Sequence, residues 1–150
     1  MSEDMTCSSD FKWTGGKDGI IDFSGKMQLP VSVPPVFGGD KEKVNPEELL
    51  SASLNACTSI TLLGTLKRTG APMEDVQSFT ANTTGRYGKG KSGLEFKEFV
   101  INARFTVKPG GVADTLRKKV ESTEVHCLVE KHLQIPVTLN SEVVVADGAE

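Results

Sequence analysis

From Leu49 to Leu66 the chain carries no charged side chain, and Leu, Ala, Ser, Cys, Thr and Ile occupy every face of any helix drawn through it. Flanking residues supply both ends of such a helix. Asn45 is a good N-cap, Pro46 suits the first helical position, and Glu48 can reach back to the cap as in a capping box. Gly70 and Pro72 supply the stop. The helix predicted is about 24 residues, roughly 36 Å long at 1.5 Å per residue. A helix apolar all round is a buried one. The run is just long enough for a membrane span, yet Ser, Thr and Asn55 interrupt it and no other segment resembles it. The expectation is a central core helix without a membrane, with Cys57 inside it. Small residues (Ser51, Ala52, Ser53, Ala56, Ser59, Gly64) would let a second helix or a sheet approach closely.

A chain of 150 residues is long enough for one domain with a real core, here spanning 1–150. A formal charge of −3 argues against a nucleic-acid surface. The opening MSEDMTCSSD has acids where a signal peptide needs bases, so a cytoplasmic protein is expected, with residues 1–8 disordered and Cys7 among them. Three cysteines do not make a structural disulfide framework.

Taken in order, Phe11 and Trp13, the turn Gly15-Gly16-Lys17-Asp18-Gly19, then Ile20, Ile21 and Phe23 read as strand, turn, strand. Met27 to Val33 alternates as a third strand, ending at Pro34-Pro35. After the long helix, Val76 to Thr84 reads as a strand, Gly85 to Gly93 as a long hairpin loop, and Phe96 to Val107 as a long strand. Phe99, Ile101, Ala103, Phe105 and Val107 share one face of that strand. Val112, Leu116 and Val120 mark a second helix. Ser122 or Thr123 caps a short third helix whose first turn includes His126 and Cys127, with Leu128 and Leu133 inward. Ile135 to Val145 is a last strand with Val137, Leu139 and Val143 in the core. The fold class is α+β, helices against an antiparallel sheet.

Two cysteines stand in contrasting settings. Burial at mid-helix would raise the thiol pKa of Cys57 and leave it inert, a small buried hydrophobe. A short helix beginning around Cys127 would favour its thiolate through the helix dipole. A zinc site built from Cys57, His126, Cys127 and His132 lacks paired ligand spacing, and no metal is expected. Arg86 reads as part of a solvated loop.

These residues resemble a family. Asn45-Pro46-Glu47-Glu48-Leu49-Leu50 followed by Ala56-Cys57, the glycine turn around Lys17, and Cys127 seventy residues after Cys57 are similar to the pattern of the OsmC/Ohr thiol peroxidases. Residues Thr58 to Leu62 look closer to its OsmC-like branch. The resemblance covers nearly the whole chain. It implies that Cys57 is peroxidatic, attacking an organic hydroperoxide, and that Cys127 resolves the sulfenic acid to a disulfide. An external dithiol such as a lipoyl group then reduces that disulfide, with no bound cofactor. It also implies that Glu47 pairs with a cation beside the thiolate, here Lys17 where the family has arginine. Lysine is a point charge without the planar fork, and Leu128 follows Cys127 where the family often has proline.

The resemblance further implies an intertwined homodimer with active sites at the interface. Ten residues on one helix separate Glu47 from Cys57 by about 15 Å along the axis, so a partner's helix would have to bring the two together. The functional alternatives are a dithiol-dependent peroxidase for organic hydroperoxides in oxidative stress and a non-catalytic dimer of the same fold. The second would bind a small hydrophobic ligand in the cleft around Cys57.

Overall fold

The first strand pair closes on a two-residue loop, Gly16-Lys17, because the flanking Gly15 and Asp18 are paired and both glycines take positive φ, 125° and 54°. The computed structural model describes residues 3–147, and by its internal contacts the chain divides into two bodies, residues 1–50 and 51–150. In the first body β1 (Asp10–Gly15), β2 (Asp18–Asp22) and β3 (Gln28–Ser32) form an antiparallel meander in that order. Gly19 leaves room for the ring of Phe11, which a Cβ there would meet at 2.1 Å. A salt bridge from Lys43 to Asp18 (2.5 Å) and the Ser32 N–H to Val44 carbonyl bond (3.1 Å) tie the segment after β3 back to the sheet. Of the residues expected to be disordered, 1 and 2 lie outside the described residues. Residues 3–9 form no helix or strand, and Ser8 meets Ser24 hydroxyl to hydroxyl at 2.9 Å.

The boundary between the bodies falls within α1 (Pro46–Arg68). Its start is the capping box read from the sequence: Asn45 Oδ1 accepts the Glu48 N–H (2.9 Å) and Glu48 accepts the Asn45 N–H (3.0 Å). Burial along α1 differs from expectation. Only Leu54, Thr58, Leu62 and Leu66 are buried, a single stripe at spacing four, and Ile60 is 71 % exposed. Within one chain the helix has one covered face.

That face rests on the second sheet, β4 (Val76–Gly90), β5 (Gly93–Val107) and β6 (Val137–Val145), with α2 (Val112–Ser122) and the short α3 (Leu128–Leu133) between β5 and β6 in sequence. The α+β class holds, with two three-stranded sheets and one long helix. Phe99, Ile101, Ala103, Phe105 and Val107 are all buried, as their alternation predicts. Leu62 and Leu66 join Phe105, Val107, Leu116, Val120 and Val143 in one apolar cluster.

Three local readings are corrected here. The glycine-rich stretch 85–93 is strand rather than loop, since β4 and β5 stay paired to Gly90 and Gly93 and only Lys91-Ser92 turns. Gly85 stands opposite Phe99, and a Cβ there would meet the Phe99 ring at 2.4 Å. Its glycine therefore makes room for an aromatic across the ladder. Secondly, β6 pairs with β5 in parallel, not antiparallel. The chain returns through α2 and α3 to pair β6 from Phe99 onward, and such a crossover connection permits parallel pairing. Thirdly, α3 begins at Leu128, so Cys127 is its N-cap and His126 lies outside it. Thr123 closes α2 through its hydroxyl to the Lys119 carbonyl (2.6 Å), and Leu128 is 69 % exposed instead of inward.

Candidate functional site

The start of α3 lies beside Cys57 of α1, and this sets where the two thiols fall. Cys57 lies mid-helix between buried Leu54 and Thr58, and is half-buried; Cys127 is 3 % exposed. Seventy residues apart in sequence, they face each other closely enough that each alters the other's ionisation. Both are free thiols.

Their electrostatics run opposite to what burial and a helix dipole alone suggest. Burial pushes the Cys57 thiol up, but hydrogen bonding from Cys127, the N–H groups of Val129 and Leu128, and the Thr61 hydroxyl outweigh it. The balance holds Cys57 below the ordinary thiol range. Leu128 and Val129 are the first two residues of α3, whose N–H groups have no partner within the helix. They lie beside the Cys57 sulfur and favour its charged form. Cys127 is pushed up, first by burial and then by the neighbouring Cys57, although the Glu130 N–H donates to its sulfur at 3.4 Å. A thiol whose ionisation is favoured thus faces one whose ionisation is disfavoured. Chemically, the pair can attack an electrophile with one sulfur and close a disulfide with the other.

Thr58 completes the polar lining. It is 2 % exposed, its hydroxyl meets no partner at ordinary hydrogen-bond geometry, and the group beside it is Cys127. Sequence reasoning assigned no site role to Thr58, Thr61, Leu128 or Val129. Spacing could have found Thr61, four residues after Cys57 and so on its face. The Leu128 and Val129 donors are backbone groups, which no residue type announces.

Lys17 and Glu47 belong to residues 1–50. Lys17 Nζ donates to the Phe37 carbonyl, while Glu47 is half-buried with Oε2 lacking any partner. No salt bridge joins the two among the described residues. Arg86 is held across the hairpin by Glu98 at 2.9 Å. His126 is exposed beside Glu124 (3.7 Å), and His132 Nδ1 lies 2.8 Å from the Leu128 carbonyl. Among the described residues no three His, Cys, Asp or Glu side chains are grouped to hold a metal ion.

Comparison with known proteins adds four findings. A family model described as OsmC-like protein matches residues 38–142, more than half of the chain. The uncharacterized protein YmaD of Bacillus subtilis is 28 % identical over 146 residues, 92 % of this chain and 93 % of that one. Among solved structures, an OsmC-like protein of unknown function from Vibrio cholerae superposes with a TM-score of 0.74 at 19 % identity, covering 94 % of this chain and 99 % of the other. An organic hydroperoxide resistance protein from Elizabethkingia anophelis gives 0.70 at 19 % identity, covering 97 % and 100 %. At these identities the likeness to solved structures is one of fold.

Proposed function

The chain belongs to the OsmC-like family, and on that premise we propose that it is a cysteine peroxidase that reduces organic hydroperoxides. The observation that carries this reading is the Cys57–Cys127 pair with its opposed ionisation. The Cys57 thiolate attacks the terminal oxygen of ROOH; the S–O bond forms as the O–O bond breaks, and the alkoxide takes a proton to leave as ROH. Cys57 is then a sulfenic acid. The Cys127 sulfur attacks the Cys57 sulfur, hydroxide leaves with the proton that Cys127 had kept, and a disulfide and water result. An external dithiol returns both thiols, so the cycle needs no bound cofactor. Such a cycle belongs in a reducing compartment, for which we take the cytoplasm.

The roles of Lys17 as activating cation and Glu47 as its carboxylate rest on the family resemblance. The Glu47 oxygen without a partner and the exposed Ile60 face of α1 support a homodimer, since a second copy would cover the face and supply the missing contact. The fold alone is also compatible with a non-catalytic binder, favoured by an open recess beside Cys127. Steady-state consumption of cumene hydroperoxide with dihydrolipoamide separates the two. The peroxidase turns over and Cys57→Ser abolishes turnover; a binder shows no consumption above buffer.

A further inference from the structure

Cys127 belongs to the wall of a second feature. An open recess of about 600 Å³ is lined by Val125, Cys127, Leu128, Ile135 and Pro136, with Glu130 and Lys131 as opposite charges among its walls. Cys57 lines no part of it. The aliphatic walls suit a hydrocarbon stem, and the opposed charges favour no net charge on the occupant. We propose that this recess admits an aliphatic thiol to Cys127, so that reduction of the Cys57–Cys127 disulfide begins by attack on the Cys127 sulfur. This rests on the disulfide of the cycle above.

The leaving-group chemistry agrees with the access. In thiol–disulfide exchange the sulfur that is expelled leaves faster when its thiol is the stronger acid. Attack at Cys127 expels Cys57, whose thiolate the α3 N–H groups and Thr61 favour. Attack at Cys57 would expel Cys127, whose burial disfavours the thiolate. In the first step the external thiolate forms a bond to Cys127, the protein S–S bond breaks and Cys57 departs as thiolate. In a dithiol the second thiolate then attacks its own sulfur in the mixed disulfide. This closes a cyclic disulfide and releases Cys127, which takes a proton; two electrons have passed to the protein.

The test forms the Cys57–Cys127 disulfide with diamide, without peroxide, and mixes it with excess 6-mercaptohexanol or 2-mercaptoethanol. The reaction is quenched with acid within the first turnover, and the adducts are mapped by peptide mass spectrometry. The expected adduct is on Cys127, in about tenfold or greater excess over Cys57, and the longer thiol reacts several-fold faster. Ile135→Trp, which fills the recess, raises the concentration of 6-mercaptohexanol needed for half-maximal reduction. An adduct on Cys57, an even distribution, no chain-length preference, or failure of diamide to form the disulfide would each overturn the proposal. Failure of the peroxidase reading shows separately, as a disulfide that diamide forms and cumene hydroperoxide does not.

Discussion

Cys57 and Cys127 shift each other's ionisation in opposite directions: the Cys127 thiol donates toward the Cys57 sulfur, lowering one pKa and raising the other. A pH profile follows. Cys57 is held below the ordinary thiol range, so its thiolate persists above that lowered pKa and is lost only as the pH falls through it. Alkylation of Cys57 by iodoacetamide should therefore rise with pH through a midpoint below that of free cysteine. The midpoint of Cys127 should lie above it. Residue-resolved mass spectrometry across pH 5 to 10 reads both, and reversal of the order contradicts the electrostatic account.

Removing the donor should cost Cys57 its reactivity in a graded way. Cys127→Ala deletes the hydrogen bond and Cys127→Ser keeps a hydroxyl in its place. Loss of one hydrogen bond to a charged sulfur, ~1.4 kcal/mol, slows alkylation of Cys57 at pH 7 by about tenfold in the alanine variant. The serine variant should lie between it and the parent. Equal rates in all three would show that Cys127 does not set the Cys57 pKa.

Gly85 and Phe99 make a separate claim about the fold. A Cβ at Gly85 would meet the Phe99 ring at 2.4 Å, and Phe99 is fully buried. Gly85→Ala should destabilise the protein by about 1–3 kcal/mol through overpacking. Adding Phe99→Leu should make the second substitution cost less than it does alone, a coupling that urea denaturation of the four proteins measures. Strict additivity would show that the two do not press on each other.

Ile60 tests the assembly. At 71 % exposure in one chain, an Ile60→Arg change should be nearly neutral for a monomer, within about 0.5 kcal/mol. Buried against a second copy, the same arginine should convert a sedimenting dimer into a monomer at micromolar concentration. A parent protein that sediments as a monomer would remove the dimer from the account.

What the sequence made legible follows from how local each signal is. The buried face of β5 from Phe99 to Val107 follows from period two, and the Asn45–Glu48 cap from residue chemistry at fixed spacing; both are present in the structure. The glycines from 85 to 93 misled because glycine marks turns and also makes room for cross-strand aromatics, and only the partner Phe99 tells which. The parallel pairing of β6 depends on a contact far along the chain, which periodicity does not encode. The apolarity of α1 was plain, but how much of it one chain covers depends on packing outside the helix. At the site, both cysteines were visible, and the electrostatic ordering was not. The donors that favour the Cys57 thiolate include main-chain N–H groups at Leu128 and Val129, placed by an α3 that starts one residue after Cys127.

The most direct measurement of the central claim is thiol mapping after one equivalent of cumene hydroperoxide is added to fully reduced protein. The account predicts a Cys57–Cys127 disulfide within seconds, with Cys7 still alkylated as a free thiol. Both site thiols still reduced after minutes would contradict it, and would leave the fold as a binder of hydrophobic ligands.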